Sequence, residues 1–191
     1  MGEIAANGIR LVEEDEATGE VAAHYEEIKR EMMVPEVPNL FKALGASPAA
    51  LAISWAWFGA LYRHSTLPQS LLAMILYAIA EQNHCQYCSA SHELSCRTLG
   101  IDEETLRTLI NDLPHLTPER IRATIQFALK IARSSKSLVR EDYDAVRAQG
   151  VSEEELVELI HLAAMASSGD VLADALKIEV DPAVSEALAI A

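Results

Sequence analysis

Apolar residues recur at helical spacing along most of the chain. Val21, Tyr25 and Ile28 share one face of a segment that begins near Thr18-Gly19, which predicts an amphipathic helix. Further helices are predicted where serine, proline or glycine marks the boundary of an apolar segment: 40–44, 48–62, 71–81 and 121–132. No alternating pattern of useful strand length appears. The sequence therefore predicts an all-α fold.

Two features recur at an offset of fifty residues. The proline turn before the helix at 71–81 has a counterpart at Thr117-Pro118-Glu119, and the segment 100–110 has one at 150–160. Two matches in the same register predict an internally duplicated helical unit.

The duplication suggests how the chain is organised. The second copy has Ser135 and Leu138 where the first has Cys85 and Cys88, so only the first carries reactive groups. We predict an N-terminal helical arm at 1–36 and one helical domain at 37–191. Within that domain we expect a catalytic unit at about 67–116 and a scaffold repeat at about 117–170.

Composition and charge narrow the range of partners. The 191 residues carry a formal net charge of -14, which repels phosphate backbones and anionic lipid surfaces. The longest apolar run, Leu71 to Ala80, has half the length of a membrane span, and the N-terminus lacks the pattern of a signal peptide. We predict a cytoplasmic protein that binds neither nucleic acid nor membranes.

Three cysteines lie within twelve positions, and two of them, Cys85 and Cys88, form a CxxC motif. In one continuous helix, Glu81, Cys85, Cys88 and His92 follow one another at steps of four, three and four, on one face. Alternatively, Asn83 ends that helix and a new one begins near Cys85. The helix dipole then stabilises a thiolate at Cys85. The sequence leaves both arrangements open.

Either arrangement predicts a redox-active dithiol. Cysteines separated by two residues form and open a disulfide without large backbone movement. We expect His92, one turn beyond Cys88, to accept its proton, and Glu81 to orient His92 or take the proton from it. His92 favours Cys88 as the attacking thiol and the helix start favours Cys85, so the order stays open.

Zinc is the main alternative, because a CxxC pair and a histidine supply three ligands. A structural zinc needs a fourth ligand, and the sequence has no second CxxC or HxxxH pair. We therefore predict no metal. Cys96 is expected to be a small buried apolar residue. His84, next to Cys85, is a candidate for tuning the site.

The pattern Asn83-x-Cys85-x-Tyr87-Cys88-x-x-x-His92, preceded by an apolar helix, resembles the alkylhydroperoxidase D-like branch of the carboxymuconolactone decarboxylase superfamily. The resemblance covers about residues 35–180. It includes segments outside the motif: Val37-Pro38-Asn39-Leu40-Phe41, Ser47-Pro48 and the turns at Gly100 and Gly150.

This resemblance implies a multi-helix bundle that forms homo-oligomers, as dimers, trimers or hexamers. It also implies a peroxidase that reduces a small-molecule hydroperoxide, is re-reduced by a thiol or lipoyl-type donor, and uses no haem or flavin cofactor. Cys85, Cys88 and His92 match the family's reactive residues. Many members place the glutamate three turns before the first cysteine, where this chain has Ala73, and others place it where Glu81 stands.

Two other functions remain open on the same fold. One is a lactone-opening or decarboxylating enzyme, although such members of the superfamily generally lack the CxxC pair. The other is a non-catalytic oligomer whose thiols sense redox state.

Overall fold

The computed structural model describes residues 8–190, which form ten α-helices, two short 3-10 turns and no β-strand. The predicted all-α fold is thus confirmed. The helices are α1 (Gly19–Met32), α2 (Asn39–Leu44), α3 (Pro48–His64), α4 (Gln69–Asn83), α5 (Gln86–Thr98), α6 (Glu103–Asn111), α7 (Glu119–Ser134), α8 (Arg140–Ala148), α9 (Glu153–Leu176) and α10 (Pro182–Ile190).

Local capping signals explain where several of these helices begin. The Ser47 hydroxyl accepts the backbone N–H of Ala50 at the start of α3, where Pro48 occupies the first helical position. At the start of α9, Ser152 and Glu155 form a reciprocal capping box. The predicted helices are all present, with ends that differ by a few residues.

The helix starts also follow the offset seen in the sequence. Helices α4 and α7 begin fifty residues apart, and so do α6 and α9. Helices α4, α7 and α9 pack against one another. Their contacts form one hydrophobic cluster, which includes the fully buried Ile75, Ile125, Leu159 and Leu162.

A second hydrophobic cluster joins the N-terminal arm to the cysteines. It contains Tyr25 and Ile28 of α1, Trp55 of α3, and both Cys85 and Cys88. The arm is therefore packed against the part of the molecule that holds the dithiol.

Helix α9 is the longest of the described helices. By length and composition it is apolar enough to span a membrane, and half of its most apolar stretch is buried inside the protein. That burial is what a core helix shows, because Leu159, Leu162 and Ala163 are fully enclosed. The same helix brings a carboxylate to the cysteines.

Candidate active site

The chain turns sharply between α4 and α5, directly before the CxxC motif. His84 adopts the left-handed conformation, with φ of 59°, and caps the C-terminus of α4. Cys85 then takes the N-cap position of α5 in an extended conformation. Of the two arrangements that the sequence leaves open, the interrupted helix is the one present, and the break lies at His84 instead of Asn83.

This turn places the two sulfurs at the start of α5. Cys85 is fully buried and Cys88 is 5% exposed. The backbone N–H of Cys88 donates to the Sγ of Cys85 at 3.5 Å. Both thiols are free. Cys85 thus has a donated hydrogen bond and the positive end of the helix dipole, two features that stabilise a thiolate.

A third reactive group, Asp170 of α9, completes the cluster. One carboxylate oxygen of Asp170 and the two sulfurs all lie within 4.8 Å of one another. Asp170 is only 4% exposed. The Nδ2 of Asn83 donates to its Oδ2 at 2.7 Å, and the Cys88 thiol also hydrogen-bonds to it. The structure therefore places a carboxylate beside both thiols, and the sequence analysis did not predict it.

The signal for Asp170 was present in the sequence. It is the only charged residue between His161 and Asp174, in the middle of an otherwise apolar helical segment. A single acid in such a segment is either paired or functional. Its proximity to the cysteines depends on how α9 packs against α4 and α5, which the local sequence does not encode.

The surroundings shift the pKa values of this cluster. The hydrogen bond to Cys85, together with burial and the neighbouring Asp170, raises the pKa of the Cys88 thiol far above its usual range. Burial raises the pKa of Asp170, partly offset by the hydrogen bonds from Asn83 and Cys88. Cys88 thus keeps its proton more firmly than an ordinary cysteine, and Asp170 accepts one more readily than an exposed aspartate.

His92 and Glu81 lie on different helices, α5 and α4. His92 lies on α5 one turn beyond Cys88, and burial lowers its pKa to about 4. Glu81 lies before the turn at His84, so the two do not share a continuous helix. Among residues 8–190, neither makes a hydrogen bond to Cys85, Cys88 or the other. The two cysteines are brought together, and the predicted relay stays a prediction.

The remaining predicted residues have simpler environments. Cys96 is fully buried in the first hydrophobic cluster, away from the cluster that contains the dithiol, as the sequence predicted. The side chain of His84 is exposed, and the residue acts through its backbone conformation.

Tyr87, between the two cysteines, ties the site to distant parts of the chain. Its buried hydroxyl accepts the backbone N–H of Leu40 at 3.2 Å and hydrogen-bonds to Asp181. Asp181 in turn accepts the backbone N–H of Asn39 at 2.9 Å. The start of α2, the start of α5 and the segment before α10 therefore meet at one tyrosine.

Two cavities differ in what lines them. One, of about 340 Å³, lies between α3 and α9 and is lined mainly by apolar side chains, among them Trp57 and Phe58, and by Gly169, next to Asp170. The other, of about 420 Å³, is lined by Glu81 and His84 at the turn and by Glu93 of α5. The first suits an apolar organic molecule, and the second is more open and has a mixed polar and apolar lining.

The same three groups are close enough to surround a metal ion, with Asp170 in the place where the sequence suggested His92. In the structure, however, each group already has a hydrogen-bond partner. Cys85 accepts from Cys88, and Asp170 interacts with Cys88 and Asn83. We therefore describe the cluster as a thiol–carboxyl site and assign no metal ligand.

Solved structures of other proteins share the fold of this chain, although their sequences are distant. Neither a protein-family model nor a curated protein sequence matches the chain. Solved structures do. An alkylhydroperoxidase AhpD core, an uncharacterized peroxidase-related protein from Ralstonia eutropha JMP134, superposes with a TM-score of 0.83 at 20% identity, over 96% of both chains. A peroxidase-related protein from Silicibacter sp. TM1040 gives 0.79 at 21% identity, over 88% of each chain.

A third similar structure is named for a different activity. The debrominase Bmp8, in a cysteine-to-alanine variant bound to 2,3,4-tribromopyrrole, superposes with a TM-score of 0.79 at 16% identity, over 95% of this chain and 96% of that one. These likenesses define the class of the fold: a helical bundle of the alkylhydroperoxidase D-like type. The chain has this fold from its N-terminal arm to its last helices, which confirms the resemblance read from the sequence at the level of fold.

Proposed function

We propose that this protein is a dithiol peroxidase that reduces hydroperoxides through Cys85 and Cys88. The observation that carries the proposal is the pair of buried sulfurs at the start of α5, beside a carboxylate. Two free thiols in this position are suited to reversible disulfide formation. The similarity to an alkylhydroperoxidase core supports the same assignment.

The hydrogen bonds favour Cys85 as the attacking sulfur. Cys85 accepts from the Cys88 backbone, whereas Cys88 holds its own proton between Cys85 and Asp170. The Cys85 thiolate attacks the outer oxygen of ROOH, breaks the O–O bond, and yields a sulfenic acid and ROH once the alkoxide is protonated. Cys88 then attacks the Cys85 sulfur and releases water. The sum is ROOH plus two thiols giving ROH, a disulfide and water.

Two buried polar groups near the pair favour a polar reactant. The indole N–H of Trp55, in the same hydrophobic cluster as both cysteines, and the hydroxyl of Ser91, one turn beyond Cys88, find no hydrogen-bond partner among the described residues. Buried groups of this kind are costly unless something satisfies them. A hydroperoxide offers both a donor and two acceptors.

Alanine variants of each cysteine test the proposal. Peroxide consumption is measured with dithiothreitol as the reductant for Cys85→Ala, Cys88→Ala and, as matched control, Cys96→Ala, which removes a thiol outside the pair. We expect the first two to lose turnover and the third to keep it. In Cys88→Ala, a sulfenic-acid trap followed by mass spectrometry should label Cys85. Full turnover in both variants of the pair would remove the proposal.

A second candidate is reductive dehalogenation of a small aromatic ring. It is favoured by the apolar cavity between α3 and α9, lined by Trp57 and Phe58, together with the likeness to a debrominase over 95% of this chain. In this reaction the two thiols become a disulfide while a carbon–halogen bond is replaced by carbon–hydrogen and the halide leaves. Release of bromide from tribromopyrrole, faster than turnover of organic hydroperoxides, would favour this candidate over the peroxidase.

The reducing partner, the homo-oligomer and the cytoplasmic location stay proposals of the same kind. A lipoyl-type donor is expected to re-reduce the disulfide, because a vicinal dithiol can complete the exchange within one molecule. Light scattering of the purified protein would separate dimers, trimers and hexamers from a monomer.

A further inference from the structure

Asp170 is an unusual residue for its position in the fold. It lies in the most buried part of α9, is 4% exposed, and is one of two polar residues, with Thr124, in the buried interior over residues 8–190. Thr124 satisfies its hydroxyl on its own helix, by donating to the carbonyl of Arg120 at 2.7 Å. Asp170 instead finds its partners on other helices, at the dithiol.

The partners of Asp170 are hydrogen-bond donors and not cations. Asn83 donates at 2.7 Å and the Cys88 thiol hydrogen-bonds to it. Within the described part of the chain, no lysine, arginine or histidine forms an ion pair with it. A buried cluster of two thiols and a carboxyl, without a cation, accommodates one negative charge far more easily than two. When a thiolate forms, the proton must therefore stay inside the cluster.

We propose that Asp170 is the proton acceptor and donor of the dithiol reaction, and that Asn83 is the residue that positions it. This inference rests on the proposed dithiol function. In the resting cluster Asp170 carries the charge. It takes a proton from the thiol pair as the Cys85 thiolate forms, and gives that proton to the alkoxide released from ROOH. It then takes the Cys88 proton as Cys88 attacks, and gives it to the leaving hydroxide, which departs as water.

The other candidate bases are less suited to this task. His92 makes no hydrogen bond to either sulfur among residues 8–190, and its environment lowers its pKa to about 4, which makes it a weak base. Glu81 lines a cavity with His84 and Glu93 and makes no hydrogen bond to either sulfur among residues 8–190. Of these three groups, Asp170 is the one that hydrogen-bonds to Cys88 within residues 8–190, and general bases act at hydrogen-bonding distance.

Several charged and titratable neighbours influence how the thiols and Asp170 titrate with pH. Asp170 is faced by Cys88 of α5 and, on its own helix, by Asp174, with Asn83 of α4 as the neutral donor. Cys85 and Asp170 are the titratable groups that act on the pKa of Cys88. Burial, together with the charges of Asp181 and Cys88, in turn raises the pKa of Tyr87.

The test replaces the carboxylate by its neutral isostere, Asp170→Asn. The matched control is Asp174→Asn, which removes the same charge one turn further along α9 at an exposed position. Two quantities are measured without any reductant: the pH midpoint of thiolate formation, from ultraviolet absorbance, and the single-turnover rate of disulfide formation after hydrogen peroxide is added.

The expected result separates a proton acceptor from a mere negative charge. In Asp170→Asn, thiolate formation should move to lower pH, because a neighbouring charge has gone. Disulfide formation should nevertheless slow by about 100-fold, since general acid–base catalysis contributes factors of this order. Sulfenic acid should accumulate on Cys85. The control should keep the wild-type rate of disulfide formation and move the thiolate midpoint far less than Asp170→Asn does, because Asp174 acts on Asp170 and not directly on Cys88.

Several outcomes would overturn the inference. Disulfide formation in Asp170→Asn as fast as in the wild type, or an unmoved thiolate midpoint, would show that Asp170 takes no part. If the wild type forms no disulfide with peroxide, the proposed function fails, while the thiolate midpoint still reports on Asp170.

A second variant covers the case in which Asp170→Asn does not fold. Asn83→Ala keeps both cysteines and the carboxylate but removes the donor at 2.7 Å. Because that donor favours the ionised carboxylate, the acid limb of the rate profile should move to higher pH. A lower rate with an unmoved acid limb would reduce Asn83 to a structural role and remove it from the proposal.

Discussion

Replacing Tyr87 by phenylalanine removes one oxygen atom that three segments of the chain share. The ring stays, so apolar burial is nearly unchanged. The backbone N–H of Leu40, which is 6% exposed, loses the acceptor at 3.2 Å. An unsatisfied buried N–H costs about 1–3 kcal/mol. Asp181 loses the hydroxyl but keeps the N–H of Asn39, so this part adds about 1 kcal/mol. We expect the free energy of unfolding to fall by about 2–4 kcal/mol.

Urea unfolding followed by circular dichroism measures this change, with the denaturant slope as a check that the unfolded state is unaffected. In a chain of this length the same loss lowers the melting temperature by roughly 10 °C. The matched control is Tyr143→Phe, since the Tyr143 ring packs edge-on against Phe127 at 5.2 Å and its hydroxyl makes no hydrogen bond within the described residues. If Tyr87→Phe unfolds no more easily than this control, the network does not stabilise the fold as argued.

Three further predictions concern the cluster itself. The folded pKa of Asp170 lies above its unfolded value, so its contribution to stability is present at acidic pH and is lost as pH rises through the folded pKa. The Asp170→Asn variant should therefore be as stable as the wild type near pH 4. At neutral pH the variant should unfold at a higher urea concentration than the wild type. A lower midpoint at neutral pH would contradict this sign. Since Cys85 and Cys88 are buried, a bulky maleimide should label them much more slowly in the native protein than in urea, as followed by mass spectrometry, and equal rates would refute their burial. An NMR titration should find His92 neutral throughout pH 5–8, with its midpoint near the pKa of about 4; a midpoint near the usual value of about 6.5 would show that it is not desolvated.

The helices and the dithiol are features that the sequence predicts well, because both are local. Apolar spacing defines α1, α4 and α7, and Pro68 and Pro118 define where α4 and α7 begin. The CxxC spacing brings Cys85 and Cys88 together whether or not the helix is continuous. Such signals do not depend on how distant segments pack.

The turn at His84 decides between the two helix arrangements that the sequence leaves open. Glycine is the usual residue in the left-handed conformation, and no glycine or proline stands between α4 and α5 to mark the turn. The break places Glu81 on α4 and leaves Cys88 and His92 together on α5. Asp170 escaped notice for the opposite reason, because its contact spans 87 residues from Asn83 and exists only in the packed bundle.

Asp170 also changes how the duplicated unit should be understood. From the sequence, the second copy keeps the helices and lacks the cysteines, so it reads as scaffold. Yet Asp170 lies at the end of that copy, and α9 packs against both α4 and α5. The first copy supplies the sulfurs and Asn83, and the second supplies the buried carboxylate that Asn83 holds. A desolvated acid without a cation lowers the stability of the helix that carries it. This cost is consistent with the proton transfer proposed for Asp170, and the cluster forms only where α9 packs against α4 and α5.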